Sequence, residues 1–139
     1  MKQYFIKKYL YPIPCKIGPL IANYVNSMKD ISDGLIGDLT EMLNDKYGAL
    51  INVNKIPLGV KTKKILNIKN NLRLEDLLNA GDDYELIIIS SQKNRNKIFN
   101  IANKNDINVT LIGKIISEKG IHFDSHIDMK NIKKFDHFS

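Results

Sequence analysis

Two short segments of this sequence cluster carboxylates beside a glycine, and they are the first candidates for chemistry. They are Asp30-Ile31-Ser32-Asp33-Gly34-Leu35 and Gly81-Asp82-Asp83-Tyr84-Glu85-Leu86. Carboxylates held close together repel one another unless a positive charge lies among them. Mg²⁺ is commonly bound by one or two carboxylates together with the phosphates of a substrate. The two segments therefore predict a site for metal ions that accompany a phosphate-bearing ligand.

The first acidic segment, residues 30–34, is expected at the start of a helix. Ser32 or Asp33 can cap that helix, whose free backbone N–H groups and partial positive charge attract phosphate. Asp30 and Asp33 are candidate metal ligands, and Ser32 is a candidate hydrogen-bond donor to a phosphate. Plain helix capping without a ligand is the alternative. It explains one of these residues, but not two carboxylates that flank a serine.

The second acidic segment, residues 81–85, leads into the apolar run Leu86–Ile89, which is typical of a buried strand. Alternation along a strand places Asp83 and Glu85 on one face and Tyr84 on the other. If that face lines a cleft, Glu85 can accept hydrogen bonds from a substrate or balance a cationic one. The alternative is an acidic turn whose charges are solvated, with Tyr84 in the core.

Helices and strands alternate around these two segments. The sequence patterns predict helices over residues 17–27, from about residue 33 to 46, and over 58–66, 74–79 and 92–103, and strands over 49–54, 84–90, 109–116 and 120–124. We expect strand 84–90 in the centre of the sheet and the last two strands in a hairpin. The alternation predicts an α/β (α+β) domain with helices packed on a mixed sheet.

The helix that follows Asp33 has the clearest pattern. Gly48 is expected to stop it soon after Lys46, whose charge suits the C-terminal end of a helix dipole. The apolar stripe of this helix comprises Leu35, Leu39, Met42 and Leu43.

The composition of the whole chain limits the class of protein. Its 139 residues suit one domain, and no apolar run approaches a membrane span. The start of the chain lacks a signal-peptide pattern and Cys15 is the single cysteine, so we expect a cytoplasmic location. The net charge is +6, but 19 of the 21 basic residues are lysines scattered along the chain. This pattern does not favour a nucleic-acid partner, and no membrane partner is expected.

The two acidic segments, together with the ending Phe135-Asp136-His137-Phe138, resemble the C-terminal domain of the thiamine-monophosphate kinase family. That family belongs to the aminoimidazole-ribonucleotide-synthetase-like superfamily. The resemblance extends over the whole chain and includes the proline-rich lead-in and a late Ile-Gly-Lys strand. It implies that residues 1–14 are a lead-in and that residues 15–139 are the C-terminal domain. It also implies that an N-terminal ATP-binding domain is absent from this chain.

The resemblance implies an activity and roles for five residues. The family converts thiamine phosphate and ATP to thiamine diphosphate and ADP, with Mg²⁺. By resemblance, Asp30 and Asp33 bind Mg²⁺, and Ser32 contacts an ATP phosphate. Glu85 and Phe135 contact the thiamine moiety, and no residue is assigned as catalytic.

The isolated chain is expected to be inactive without an N-terminal half. The expected partners are thiamine phosphate, ATP and either a separate N-terminal half or a homodimer partner. The alternatives are a non-catalytic ligand-binding module and another ATP-using member of the superfamily.

Overall fold

The computed structural model describes residues 2–11, 13–68, 72–81, 85–125 and 127. Within these ranges the chain forms helices that alternate with short strands. The helices are α1 (Lys2–Leu10), α2 (Gly18–Ile21), α3 (Leu35–Leu43), α4 (Val60–Ile68), α5 (Leu74–Leu78) and α6 (Arg95–Lys104). The strands are β1 (Ser27–Asp30), β2 (Gly48–Ile51), β3 (Leu86–Ile89), β4 (Gly113–Ile116) and β5 (Gly120–Phe123). No helix of the described residues is long and apolar enough to cross a membrane.

The described strands form two sheets. In the first, β1 pairs antiparallel with β3, so that Ser27 lies opposite Ile89 and Asp30 opposite Leu86. In the second, β2 is the central strand, antiparallel to β4 and parallel to β5. Helices pack on both sheets, which confirms the predicted α/β (α+β) class with a mixed sheet.

The β1–β3 sheet lies between two hydrophobic clusters. Side chains alternate along a strand, so β3 contributes to both clusters. Ile87 and Ile89 pack with the apolar face of α3, whereas Leu86 and Ile88 pack with α2 and α6. The buried side chains of the first cluster are Leu35, Ile36, Leu39, Leu43, Ala49, Ile51, Leu78 and Ile87, and those of the second are Ile17, Ile21, Ile98 and Ala102. Strand β3, which pairs with β1, is therefore held from both sides.

The helix predicted over residues 17–27 was wrong in its second half. Helix α2 ends at Ile21, a 3₁₀ turn follows over Ala22–Tyr24, and β1 begins at Ser27. Val25 already has extended backbone angles, φ −113° and ψ 152°. Pairing with the apolar strand β3 outweighs the helical spacing of the side chains here, because strand formation depends on cross-strand neighbours.

Two predictions of strand pairing were also wrong. Within the described residues β3 has β1 as its one neighbour, so β3 is not central. The predicted hairpin of the last two strands does not form either, because β2 lies between β4 and β5. Most of β2 is buried, with Ala49 and Ile51 at 1% and 2% exposure. The burial of its apolar side chains favours the central place, although β4 and β5 are adjacent in the sequence.

Candidate functional site

The two acidic segments meet at one edge of the β1–β3 sheet. Because the strands are antiparallel and Asp30 lies opposite Leu86, β1 ends where β3 begins. The backbone N–H of Ile31 donates a hydrogen bond to the carbonyl oxygen of Glu85, with an N···O distance of 2.9 Å. Strand pairing thus continues one residue beyond β1 and brings Glu85 beside the first acidic segment.

Two glycines provide a second contact between these parts of the chain. A Cβ atom on Gly34 would lie 2.8–2.9 Å from the backbone of Asn79, and Gly34 has a positive φ of 94°. A Cβ atom on Gly81 would overlap the carbonyl oxygen of Ser32. Since neither glycine has a side chain, residues 79–81 pack directly against the backbone of residues 32–34.

The start of α3 differs from the prediction. The helix begins at Leu35 after Gly34, and no side-chain cap hydrogen bond is present there, so the predicted capping by Ser32 or Asp33 was wrong. These two residues form a bend before the helix. Their backbone N–H groups both donate to Oδ2 of Asp38, each at 2.9 Å. A carboxylate inside the helix therefore holds the bend.

The end of α3 was also predicted wrongly. The helix ends at Leu43, and the next residue, Asn44, adopts left-handed backbone angles with φ 48°. Asparagine tolerates this conformation well, so Asn44 ends the helix before Gly48 is reached.

Asp38 is buried, and groups that stabilise its negative charge lie next to both of its carboxylate oxygens. Its side chain is 0% exposed, and Oδ1 lies 2.9 Å from Nζ of Lys29 on β1. Burial alone would raise the pKa of Asp38, but the contact with Lys29 and the two backbone hydrogen bonds lower it below its usual value. Lys29 also contacts the exposed carboxylate of Glu41, and the hydrogen bonds that Lys29 donates to Glu41 and Asp38 raise the pKa of Lys29. Lys29 and Asp38 thus tie β1, the bend and α3 together in their charged forms.

Asp38 was not singled out from the sequence, although a signal was present. It lies three residues after Leu35 and four before Met42, which places it on the apolar face of α3. An acid on the buried face of an amphipathic helix needs a partner, because an unpaired buried charge is strongly disfavoured. Here the partners are Lys29 and the backbone of the acidic segment.

The lowered pKa of Asp38 predicts an acid-dependent stability. A carboxyl group with a lower pKa in the folded state stabilises the fold above its unfolded pKa, which is about 3.9. That contribution is lost as the pH falls through the folded pKa. We expect the free energy of unfolding from urea titrations to decrease below about pH 4, and to decrease less in Asp38→Asn. The control is Asp45→Asn at an exposed position; an Asp38→Asn variant with the wild-type acid slope would contradict the prediction.

Four of the five predicted site residues lie together at this sheet edge. Asp30, Ser32 and Glu85 are exposed and Asp33 is half-buried. Phe135 lies outside the described residues. Residues 82–84 of the second acidic segment also lie outside the described residues, so the predicted orientation of their side chains stays a prediction.

The donor set of this edge fits a metal that also binds phosphate oxygens. Across the described ranges there is no group of three or more His, Cys, Asp or Glu side chains placed to hold a metal ion. Asp30 and Asp33 flank Ser32 with two carboxylates, and Mg²⁺ is commonly held by one or two carboxylates plus phosphates. Asp38 is excluded as a ligand because Lys29 and the backbone N–H groups already bind its carboxylate.

Comparison with known proteins gives the relationships of this chain. The family model described as AIR synthase related protein, C-terminal domain, matches residues 5–125. Thiamine-monophosphate kinase from Buchnera aphidicola subsp. Acyrthosiphon pisum (strain APS) is 41% identical over 145 residues, covering 99% of this chain and 44% of that protein. The protein of the same name from Buchnera aphidicola subsp. Schizaphis graminum (strain Sg) is 44% identical over 142 residues, covering 97% and 43%. The chain thus spans less than half the length of these two relatives.

A solved structure has the same fold. It is of AaThiL complexed with AMPPCP and TMP, and it matches with a TM-score of 0.73 at 23% sequence identity. The match covers 97% of this chain and 40% of the solved chain.

Proposed function

This chain belongs to the family of AIR synthase related protein C-terminal domains, and we propose that it is the C-terminal domain of an ATP-dependent thiamine-phosphate kinase. The reaction transfers the γ-phosphoryl group of ATP to thiamine phosphate, which yields thiamine diphosphate and ADP. The observation that carries the proposal is the meeting of both acidic segments at one sheet edge, in a chain that is similar to proteins named thiamine-monophosphate kinase. The activity is proposed to need the part of those relatives that this chain does not span. A separate chain that holds the N-terminal half would supply it.

The first acidic segment is proposed to form the nucleotide end of the site. Asp30 and Asp33 would bind Mg²⁺, and Ser32 would donate a hydrogen bond to a phosphate of ATP. The metal would neutralise the phosphate oxygens that approach one another in the reaction. Asp38 supports this assignment because its hydrogen bonds fix the backbone from which Ser32 and Asp33 project.

The second acidic segment is proposed to form the thiamine end. Glu85 is exposed, and its backbone carbonyl accepts a hydrogen bond from the N–H of Ile31. Its carboxylate is therefore carried by a residue that lies next to the first acidic segment. A carboxylate and an aromatic face both favour a cation such as the thiazolium ring, and Phe135 is proposed as the aromatic residue. A cytoplasmic location without nucleic-acid or membrane partners completes the proposal.

A fusion protein tests the proposed activity. The segment of the Acyrthosiphon pisum strain relative that precedes its matched part would be joined to residues 1–139. We expect thiamine diphosphate to form from thiamine phosphate and Mg²⁺-ATP, as measured by chromatography.

In this fusion, Asp33→Asn is expected to lower kcat by about 100-fold or more, since electrostatic stabilisation of phosphoryl transfer is lost. Phe135→Ala is expected to raise the KM for thiamine phosphate more than that for ATP.

The matched control for Asp33→Asn is Asp45→Asn. Asp45 is exposed just after α3 and has φ 53°, a conformation that asparagine adopts readily. Equal losses of kcat in the two variants would contradict the metal-binding role of Asp33. A fusion that is folded by circular dichroism yet forms no thiamine diphosphate, beside an active intact relative, would contradict the kinase proposal. Calorimetric binding of thiamine phosphate by such an inactive fusion would favour the non-catalytic module.

A further inference from the structure

A separate cavity lies on the β4–β2–β5 sheet. Its volume is about 270 Å³, and it shares no residue with the two acidic segments. The cavity is lined by Leu50, Asn52, Lys55, Arg95, Leu111, Ile112, Gly113, Lys114 and Asp124.

The topology places the cavity at the ends of the three strands. β2 and β5 run parallel and β4 runs antiparallel to them, so their lining residues meet at one sheet edge. The backbone N–H of Asn52 donates to the carbonyl oxygen of Ile112 at 2.7 Å, and that of Asp124 donates to Ile51 at 3.0 Å. Asn52 therefore lies between β4 and β5, just past the carboxyl end of β2.

The cavity lies on the sheet face that points away from α3. Ala49 and Ile51 point into the hydrophobic cluster of α3, so the alternate side chains of Leu50 and Asn52 point to the other face. Lys114 lies opposite Leu50 in the register of β2 and β4. Leu50 belongs to neither hydrophobic cluster, whereas Ile112, which also lines the cavity, packs against the cluster of α3.

Most of the charged side chains that line the cavity are cationic, beside an apolar part formed by Leu50, Leu111 and Ile112. Lys55, Arg95 and Lys114 line the cavity, and within the described residues none of them forms an ion pair with an acid. Asp124 is the one carboxylate among the lining residues, and its Oδ1 already accepts a hydrogen bond from the N–H of Val53 at 3.0 Å. The cations therefore favour an anion in the cavity.

One of the lining residues has a buried side-chain oxygen without a hydrogen-bond partner. The side-chain Oδ1 of Asn52 is buried and has no partner among the residues that the structure describes. Buried polar atoms are nearly always satisfied by protein, water or ligand. The amide oxygen of Asn52 and the carboxylate of Asp124 can accept hydrogen bonds from hydroxyl groups, and the cations beside them can bind a phosphate. Together these groups suit a ligand that carries both hydroxyls and a phosphate.

We propose that this cavity binds a small phosphorylated ligand that also carries hydroxyl groups. Lys55, Arg95 and Lys114 would hold the phosphate, and Asn52 and Asp124 would accept hydrogen bonds from the hydroxyls. The volume lies just below the roughly 300–1,000 Å³ typical of pockets for drug-sized molecules, which favours a ligand of sugar-phosphate size. The site is independent of the proposed kinase activity, because it uses none of the residues assigned to that reaction.

The test is an NMR titration of the 139-residue chain with ribose 5-phosphate. EDTA is present throughout, so that divalent ions cannot draw the phosphate to the acidic segments. We expect saturable shifts of the backbone amides of Asn52, Lys114 and Asp124. Arg95→Gln should raise the Kd about tenfold, because one charge-assisted hydrogen bond to the phosphate is lost. Lys64→Gln removes a positive charge from an exposed position on α4 outside the cavity and should leave the Kd unchanged.

Several outcomes would overturn the proposal. Shifts that do not saturate, or that spread over lysines throughout the chain, would indicate general attraction to a basic protein. Equal effects of Arg95→Gln and Lys64→Gln would indicate the same. Inorganic phosphate that binds as tightly as ribose 5-phosphate would overturn the role of the hydroxyl groups, and ribose that binds as tightly would overturn the role of the cations. Lys114→Gln provides a second variant in the cavity if Arg95→Gln does not fold.

Discussion

An Asp38→Ala variant is expected to lose about 2–4 kcal/mol of unfolding free energy, because two partly buried backbone donors lose their acceptor at a cost of about 1–3 kcal/mol each. The change leaves the backbone N–H groups of Ser32 and Asp33 without their acceptor and leaves Lys29 with the exposed Glu41 alone. Urea titrations followed by circular dichroism measure the loss. In the active fusion, the same variant should also form thiamine diphosphate more slowly, because the bend that carries Ser32 and Asp33 is no longer held.

The control for this prediction removes the other partner of Lys29. Glu41 has a side chain that is 72% exposed, so its ion pair with Lys29 is weakened by solvent. Glu41→Gln is therefore expected to cost less than about 1 kcal/mol. Equal losses of unfolding free energy in Asp38→Ala and Glu41→Gln would contradict the prediction, because the buried carboxylate would then stabilise the fold no more than the exposed one. Asp38→Asn separates shape from charge, since its amide oxygen can still accept a hydrogen bond from the bend.

The sequence predicted the elements that depend on local patterns. Helices α4, α5 and α6 and strand β3 lie close to their predicted positions because apolar spacing and helix-forming composition are properties of a short window. Strand β1 was missed because Ser27–Asp30 contains no β-branched residue and forms through its pairing with β3. The split of β4 and β5 by β2 was missed for a similar reason, since strand order depends on contacts between distant residues.

The same distinction applies to the candidate site. Asp30, Ser32, Asp33 and Glu85 were predicted as site residues because clustered carboxylates beside a glycine are visible within a few residues. The support for that cluster is not local. Lys29 meets Asp38 across a strand–helix contact, and the fit of one loop against the other depends on the shape of both backbones.

A Gly34→Ala variant is expected to separate the two acidic segments as well as destabilise the fold. Gly34 has φ 94° and ψ 154°, a region that is nearly restricted to glycine and costs other residues about 1–3 kcal/mol. Its new methyl group would also lie 2.8–2.9 Å from the backbone of Asn79, and such overpacking costs about a further 1–3 kcal/mol. We expect a lower midpoint in urea and shifted amide signals of Asn79 and Gly81. In the fusion, thiamine diphosphate formation should fall because Glu85 no longer lies beside the bend.

A glycine in the same region provides the matched control. Gly37 lies in α3, and a methyl group there would have its nearest contact at 3.6 Å from Cβ of Asp33, an ordinary van der Waals distance. Gly37→Ala should therefore raise the stability by roughly 0.5–1 kcal/mol through helix propensity. Opposite signs for Gly34→Ala and Gly37→Ala would show that the backbone conformation of Gly34 and its close approach to Asn79, and not the loss of a glycine as such, cause the destabilisation. A stable Gly34→Ala protein with unshifted signals at Asn79 and Gly81 would contradict the prediction, because the added methyl group cannot fit unless the two backbones move apart.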